Sequence, residues 1–300
     1  MRTIWLFPGQ GSQRPGMLAG LPAADRQLVT QVTGVELDDR DYRDSVKTQL
    51  AITILQMAQV DQLKKAGWMP TAVAGHSLGV FAAAYAANVI SKADVLAVVK
   101  RRAQLMQAAY DPAEYGMGVI LGLTRREVED LVAQVDGPTT PVCASNQNAP
   151  TQVTVSGKKT AIKEVLELAQ QQGATKAKLL NVPVLSHTPL LAGVAEQLAT
   201  TLHKYELHAP QALYLANYNG HLVHELDPLA YDLSHNLAYP VYWDTMMDVA
   251  TELDLQVAIE LCPGTVLSKL LSSKCHKIKR IPLAQYGIDD GLYLLDKWQK

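Results

Sequence analysis

The chain has 300 residues, of which 48% are hydrophobic and 19% charged, and its formal net charge is −2. This composition is typical of a water-soluble globular protein that is long enough for two domains, and the near-neutral charge excludes a broad basic surface for nucleic acid. No apolar run reaches the length of a membrane span, and the run at Met1–Pro8 is too short for a signal peptide. We therefore expect a cytoplasmic protein that binds neither nucleic acid nor membrane.

Cysteine and histidine usage argues against a disulfide framework or a metal site. Cys143, Cys262 and Cys275 are an odd number, lie far apart and show no C-x-x-C spacing. His221 and His224 follow a turn-like Asn-Gly pair, but no third ligand accompanies them. The sequence thus predicts no metal and no bound cofactor.

The first part of the chain predicts alternating strands and helices. Thr3–Phe7 is a buried strand, and a long helix over Ser45–Ala66 precedes a second strand at Thr71–Ala74. An apolar, alanine-rich segment at Phe81–Ile90 and a helix over Lys92–Tyr110 follow. This alternation favours a mainly parallel sheet wrapped by helices, in an α/β core of the hydrolase-like kind.

The pattern changes after Gly116 to the order β-α-β-β-α-β. The predicted elements are strands at Met117–Leu121, Pro141–Ser145, Thr151–Ser156 and Thr175–Leu180, and helices at Thr124–Gln134 and Lys159–Gln171. This order matches a ferredoxin-like unit inserted into the larger domain. We therefore predict a small subdomain over residues 116–185 and a core built from residues 1–115 and 186–300.

The α/β alternation then resumes. It comprises a helix over Pro189–Tyr205, a strand at Leu213–Asn217, a helix over Trp243–Leu253, a strand at Gln256–Leu261 and a short helix at Val266–Leu271. The second half of the core therefore supplies further strands and helices to the first.

The pentad Gly75-His76-Ser77-Leu78-Gly79 stands between a predicted strand and an apolar helix. A G-x-S-x-G pattern in this context is typical of a nucleophile elbow, in which a tight turn exposes the serine hydroxyl. Ser77 is therefore the candidate nucleophile. By itself the pentad also fits a purely structural turn.

A serine hydroxyl needs a base, and His187 is the histidine best placed to act as one. It ends the apolar segment Val182–Leu185 and precedes Thr188-Pro189, which is typical of a helix start. A backbone held at such a corner would expose the imidazole ring. His76 adjoins Ser77, but adjacent residues of an elbow diverge, so we expect it to shape the pocket.

Arg102 is predicted to lie on the apolar face of its helix. Val95, Val98, Val99 and Met106 precede or follow it at helical spacing. One interpretation is a stem packed along the core edge with its head in water. The other is an inward-pointing cation that binds an anionic substrate, because a guanidinium pairs with a carboxylate through two parallel bonds.

A glycine-rich run, Pro8-Gly9-Gln10-Gly11-Ser12-Gln13, follows the first strand. It lacks the spacing of a dinucleotide loop and the Gly-Lys-Ser/Thr end of a phosphate loop. In serine enzymes with an elbow, one oxyanion donor is the N–H after the nucleophile and another comes from a loop after an early strand. Leu78 and Gln10 are therefore the candidate oxyanion donors.

Taken in order, these segments resemble the malonyl-CoA:acyl-carrier-protein transacylases nearly end to end. They are the run at residues 8–13, the pentad at residues 75–79, Arg102 with Leu105-Met106-Gln107, Ser186-His187 and Pro263-Gly264. The resemblance implies that Ser77 takes the malonyl group from malonyl-CoA and that His187 is the base and then the acid. It further implies that Arg102 binds the malonyl carboxylate and that Gln10 and Leu78 hold the oxyanion. His187 would be oriented by a backbone carbonyl near Tyr239-Pro240. An acyl carrier protein would be the partner.

Departures from the common pattern favour one branch of this family. Val80-Phe81 replace a common Glu-Tyr, Leu185 replaces a proline, and Cys262 replaces a glycine. These features are more similar to the epsilon (transacylase) subunit of malonate decarboxylase, whose other subunits would then be partners. The alternatives are the fatty-acid-synthesis transacylase, a serine esterase or thioesterase, and a scaffold that only docks a carrier protein.

Overall fold

A computed structural model describes residues 1–180 and 185–299, and its core is a six-stranded sheet. The strands of this sheet, in spatial order, are β10 (Lys279–Pro282), β9 (Val257–Glu260), β1 (Thr3–Phe7), β2 (Ala72–Gly75), β7 (Leu213–Leu215) and β8 (Leu222–Val223). All neighbouring pairs are parallel except β7 and β8, which form an antiparallel hairpin.

The central strand β1 sets the position of the loops that follow the sheet. Leu6 of β1 is aligned with Ala74 of β2 on one side and with Glu260 of β9 on the other. Because parallel strands end at the same edge, the segments after Phe7, Gly75 and Glu260 emerge side by side. This edge of an open α/β sheet is where ligands bind.

Helices cover both faces of this sheet. They are α1 (Ala23–Thr33), α2 (Ser45–Lys65), α3 (Gly79–Ala86), α4 (Lys92–Ala109), α7 (Ala192–Leu202), α8 (Leu226–His235), α9 (Trp243–Glu252), α10 (Val266–Lys274) and α11 (Leu283–Gln299). Trp5 and Phe7 pack in the cluster that contains α2, α3 and α4, whereas Ile4 and Leu6 pack with α9 and α10. The period-two alternation of β1 therefore divides the core into two layers.

The second sheet is antiparallel and has four strands in the order β4-β5-β3-β6. Its elements are β3 (Tyr115–Leu121), α5 (Arg125–Val135), β4 (Val142–Ala149), β5 (Gln152–Lys158), α6 (Lys159–Gln171) and β6 (Lys176–Leu179). A capping box between Thr124 and Glu127 starts α5. The predicted fold class, a mainly parallel α/β core with a βαββαβ unit, is confirmed. The division into domains at residues 116–185 stays a prediction.

Several element boundaries differ from the predictions. The helix predicted over Pro189–Tyr205 is a 3₁₀ turn at Pro189–Leu191 followed by α7, and α3 starts at Gly79 and ends at Ala86. Helices α1, α8 and α11 had no counterpart among the predicted elements. Of the segment predicted as apolar at Val182–Leu185, residues 182–184 lie outside the described residues. No described helix combines the length and the apolar character needed to cross a bilayer.

Candidate active site

The turn after β2 places Ser77 at the carboxyl edge of the large sheet. Ser77 has a φ of 54°, in the left-handed region that non-glycine residues rarely occupy. The flanking glycines are required by close approach, since a Cβ on Gly79 would lie 1.9 Å from the carbonyl oxygen of Phe7 and one on Gly75 would lie 2.3 Å from the nitrogen of Val80. The pentad therefore forms a strained elbow, which the strand and helix around it hold in place.

His187 lies against the serine although it is 110 residues away in sequence. Its Nε2 is 2.7 Å from Ser77 Oγ, and its own φ is 59°. The backbone N–H of His187 donates to the carbonyl of Leu237 at 2.7 Å. This bond to a distant segment of the chain fixes the backbone at His187. The structure thus brings the predicted nucleophile and the predicted base within hydrogen-bond distance.

Two backbone carbonyls orient the imidazole. Nδ1 of His187 is 2.8 Å from the oxygen of Asn236 and 3.0 Å from that of Tyr239. Because carbonyl oxygens only accept, Nδ1 carries the proton and Nε2 is free to accept the proton of Ser77. Burial lowers the pKa of His187 from 6.5 to about 3, with smaller contributions from His76 and Arg102. The ring is therefore neutral at neutral pH, as a base requires.

Arg102 is a buried cation beside the Ser–His pair. Its side chain is 1% exposed, its Nη1 donates to Gln49 Oε1 at 2.6 Å, and its Nη2 is 3.5 Å from Ser77 Oγ. Its Nε is buried and has no hydrogen-bond partner among the described residues, and burial alone lowers the pKa of Arg102 from 12.5 to about 10. Within residues 1–180 and 185–299, no carboxylate forms a salt bridge with this guanidinium. Of the two interpretations left open by the sequence, the structure excludes a head that reaches water.

The glycine-rich run packs directly behind the elbow. A Cβ on Gly9 would lie 2.9 Å from the carbonyl oxygen of His76 and 3.7 Å from the nitrogen of Leu78, so only glycine allows this approach. In the part of the chain that the structure describes, the backbone N–H groups of Gln10 and Leu78 have no intramolecular acceptor. Free N–H groups on two adjoining turns can serve a developing negative charge.

These groups line a cleft of about 280 Å³ between the two sheets. The core contributes the glycine-rich run, the elbow, Arg102 and His187, and the small sheet contributes residues of β3, β4 and β5. The lining residues are Gly9, Gln10, Gly11, Gln13, His76, Ser77, Arg102, Met106, Met117, Asn146, Asn148, Thr154, Leu180, Ser186 and His187. Four of the five predicted site residues therefore line this cleft, and the fifth, Leu78, directly follows Ser77 in the elbow.

Several neighbouring side chains were not indicated by the sequence. Asn148 Oδ1 lies 2.9 Å from Nε2 of His76, which also packs near the Trp243 ring at 5.5 Å, so His76 shapes the pocket as expected. Gln49 and Asn217 contact Arg102 and Ser77 across 53 and 140 residues of sequence. No local sequence motif surrounds Gln49 or Asn217, so the sequence offered no signal for either. Only their complete burial as polar residues, seen in the structure, marks them as part of the site.

No metal centre is formed by the residues that the structure describes, since they contain no group of three or more candidate ligands. His221 lies in the connection between β7 and β8, which pair as an antiparallel hairpin.

Comparisons with known proteins agree on one family. The profile of the acyl transferase domain family matches residues 4–286. A malonyl CoA-acyl carrier protein transacylase from Haemophilus influenzae is 31% identical over 281 residues, covering 88% of this chain and 89% of the relative. The crystal structure of FabD from Acinetobacter baumannii superposes with a TM-score of 0.92 at 30% identity, covering 99% of both chains.

A further solved structure contains a carrier protein. It is described as a type II PKS acyl-carrier protein in complex with its malonyl-transacylase, and it superposes with a TM-score of 0.91 at 27% identity. This chain is covered to 98% and that chain to 100%. The similarity therefore extends over both sheets and the cleft between them.

Proposed function

The chain belongs to the acyl transferase domain family and is an acyltransferase, and we propose that it moves a malonyl group from malonyl-CoA to the thiol of an acyl carrier protein. The related proteins are named for this reaction, and one of the superposing structures is a complex with an acyl-carrier protein. Malonyl-CoA is accordingly the substrate, with no bound cofactor, and a carrier with a phosphopantetheine-type thiol is the partner.

The observation that carries this proposal is the buried guanidinium of Arg102, which lies 3.5 Å from Ser77 Oγ and forms no salt bridge with any described carboxylate. A buried cation without a carboxylate is unfavourable unless the ligand supplies one. Its free Nε and its Nη2 form the side of the fork that pairs with a carboxylate through two parallel bonds. Malonyl-CoA carries such a carboxylate, whereas the substrates of an ordinary esterase do not.

The first half-reaction acylates Ser77. His187 Nε2 accepts the hydroxyl proton while Ser77 Oγ attacks the thioester carbonyl, and the N–H groups of Gln10 and Leu78 hold the resulting oxyanion. When the carbon–sulfur bond breaks, His187 returns the proton to the leaving thiol of coenzyme A. The products are a malonyl ester on Ser77 and free coenzyme A.

The second half-reaction runs the same steps with a different thiol. The carrier's thiol gives its proton to His187 and attacks the ester carbonyl, and the proton then passes to Ser77 Oγ as the ester breaks. The backbone carbonyls of Asn236 and Tyr239 stabilise the transient imidazolium, in the position that a carboxylate takes in a Ser-His-Asp triad.

The cleft volume fits a short acyl group. Pockets for drug-sized ligands have volumes of about 300–1,000 Å³, and this cleft measures about 280 Å³ with many polar lining groups. A long fatty acyl chain would need a larger apolar cavity.

The names of the relatives favour the fatty-acid-synthesis alternative over the epsilon subunit of malonate decarboxylase, because they are malonyl CoA-acyl carrier protein transacylases. The decarboxylase assignment rests on the sequence departures alone and stays a prediction, as do its further subunits as partners. A comparison of two carrier proteins, that of fatty-acid synthesis and that of malonate decarboxylase, separates these hypotheses. The malonyl-enzyme should transfer its malonyl group faster to the carrier of its own pathway.

Intact-protein mass spectrometry after brief incubation with malonyl-CoA or acetyl-CoA tests the proposal. We expect a malonyl adduct on the wild-type chain, little acetyl adduct, and neither on Ser77→Ala. Steady release of free malonate without an adduct would instead indicate a hydrolase. No adduct and no release would indicate a scaffold that only docks a carrier.

A further inference from the structure

The side chain of Asn217 continues the hydrogen bonding of the sheet into the elbow. The parallel pairing of β2 with β7 ends at Ala74 and Leu215. Beyond that point Asn217 Nδ2 donates to the carbonyl of Gly75 at 2.6 Å, and its Oδ1 accepts from the backbone N–H of Ser77 at 2.9 Å. One fully buried amide therefore bridges the turn from the residue before His76 to the residue after it.

This bridge acts on the strained residue itself. A non-glycine residue at a φ of 54° stays there only if its surroundings hold it. If Ser77 relaxed to an ordinary backbone conformation, the peptide group that carries its N–H would rotate relative to its Cα, and the bond to Asn217 Oδ1 would be lost. The Ser77 N–H is also occupied by Asn217, which leaves the oxyanion to Leu78 and Gln10.

Asp232 of α8 in turn fixes Asn217. Its Oδ1 accepts from the backbone N–H of Asn217 at 2.9 Å, and its Oδ2 accepts from the Tyr214 hydroxyl at 2.9 Å. Its backbone carbonyl accepts from Asn236 Nδ2 at 2.8 Å, and Asn236 is one of the two residues whose carbonyls orient His187. The end of one helix therefore holds both members of the Ser–His pair.

We propose that Asn217 is a positioning residue that keeps Ser77 Oγ at His187 by holding the elbow in its left-handed conformation, with Asp232 fixing the amide in place. The inference rests on the proposed function, in which Ser77 is the attacking group. It adds a residue that touches neither the acyl donor nor the carrier, since Asn217 does not line the cleft.

The test compares Asn217→Ala with Tyr214→Phe, a matched control in the same network. The control removes the phenol donor to Asp232 but leaves both bonds of Asn217 to the elbow. Rates are measured by rapid-quench mass spectrometry with malonyl-CoA and, separately, with a fluorophosphonate that reacts with activated serines. Thermal unfolding of each variant is recorded alongside.

For Asn217→Ala we expect the rates of acylation and of fluorophosphonate reaction both to fall by about tenfold or more, because Oγ is no longer aligned with the base. The half-saturating malonyl-CoA concentration should change by less than about threefold, since Arg102 is untouched. Tyr214→Phe should lower the unfolding temperature but keep both rates within about twofold of wild type.

Wild-type rates in Asn217→Ala would overturn the proposal. If Asn217→Ala does not fold, Asn217→Ser replaces it, and failure of both to fold beside a folded Tyr214→Phe would assign Asn217 to stability alone. A wild-type chain that reacts with the fluorophosphonate but not with malonyl-CoA would refute the proposed function. The fluorophosphonate rates would still decide the role of Asn217.

Discussion

Replacing Arg102 by methionine should change the selectivity between malonyl-CoA and acetyl-CoA. Methionine retains an unbranched apolar stem in the core but removes the cation. In the wild-type chain Nη1 is engaged by Gln49, so Nε and Nη2 remain for the substrate. Their desolvation is complete before the substrate binds, because the side chain is 1% exposed. Pairing with the substrate carboxylate therefore carries no further free-energy cost of desolvating the guanidinium.

The expected magnitude follows from those two donors. Hydrogen bonds to charged groups contribute about 1.5–3 kcal/mol each, so two of them contribute about 3–6 kcal/mol. At ~1.36 kcal/mol for each factor of ten, Arg102→Met should lower kcat/KM for malonyl-CoA by about 150-fold to 25,000-fold. Acetyl-CoA has no carboxylate to lose, so its kcat/KM should stay unchanged or rise.

The assay measures kcat/KM for both thioesters through the release of coenzyme A in the presence of a carrier thiol. Arg101→Met is the matched control, since Arg101 is the exposed neighbour on the same helix α4 and should have no effect on either substrate. An equal loss with malonyl-CoA and acetyl-CoA would refute the carboxylate-binding role. Unchanged values of kcat/KM for both thioesters would refute it as well.

Three other predictions concern the elbow, the base and the buried carboxylate. Gly79→Ala should lower the acylation rate and should lower the free energy of unfolding by about 1–3 kcal/mol or more, because its Cβ would lie 1.9 Å from the Phe7 carbonyl oxygen. Gly193→Ala in helix α7, where no described atom would lie within 4 Å of the Cβ, should leave the rate unchanged and raise the free energy of unfolding by up to about 1 kcal/mol. The acylation rate should stay flat as the pH falls from 8 to about 5, since burial lowers the pKa of His187 to about 3; a limb centred near 6.5 would contradict this. Burial raises the pKa of Asp232 from 3.8 to about 7, so the stability that its protonated form contributes is fully present below about pH 4 and is lost as the pH rises to about 7. At ~1.36 kcal/mol per pH unit, urea titrations should show wild type losing about 4 kcal/mol relative to Asp232→Asn over that range, and parallel curves would exclude the effect.

Much of the architecture could be predicted because it depends on neighbours in sequence. The glycines around Ser77 are required by a turn of five residues, and the apolar spacing around Arg102 reports one face of a single helix. The order of the βαββαβ elements likewise appears in the alternation of periods along the chain. Each of these signals lies within a short stretch of sequence, where the backbone geometry determines which side chains point to the same face.

The tertiary structure alone decided what surrounds those residues. Asn217 reaches Ser77 across 140 residues, and His187 reaches it across 110. Such contacts depend on the order of strands in the sheet and on which loops emerge at one edge, and no local spacing encodes them. The sequence by itself therefore determined the elbow and the apolar helix face on which Arg102 lies. The burial of its guanidinium without a carboxylate partner among the described residues, the pairing with His187 and the amide that holds the elbow follow from how distant segments pack.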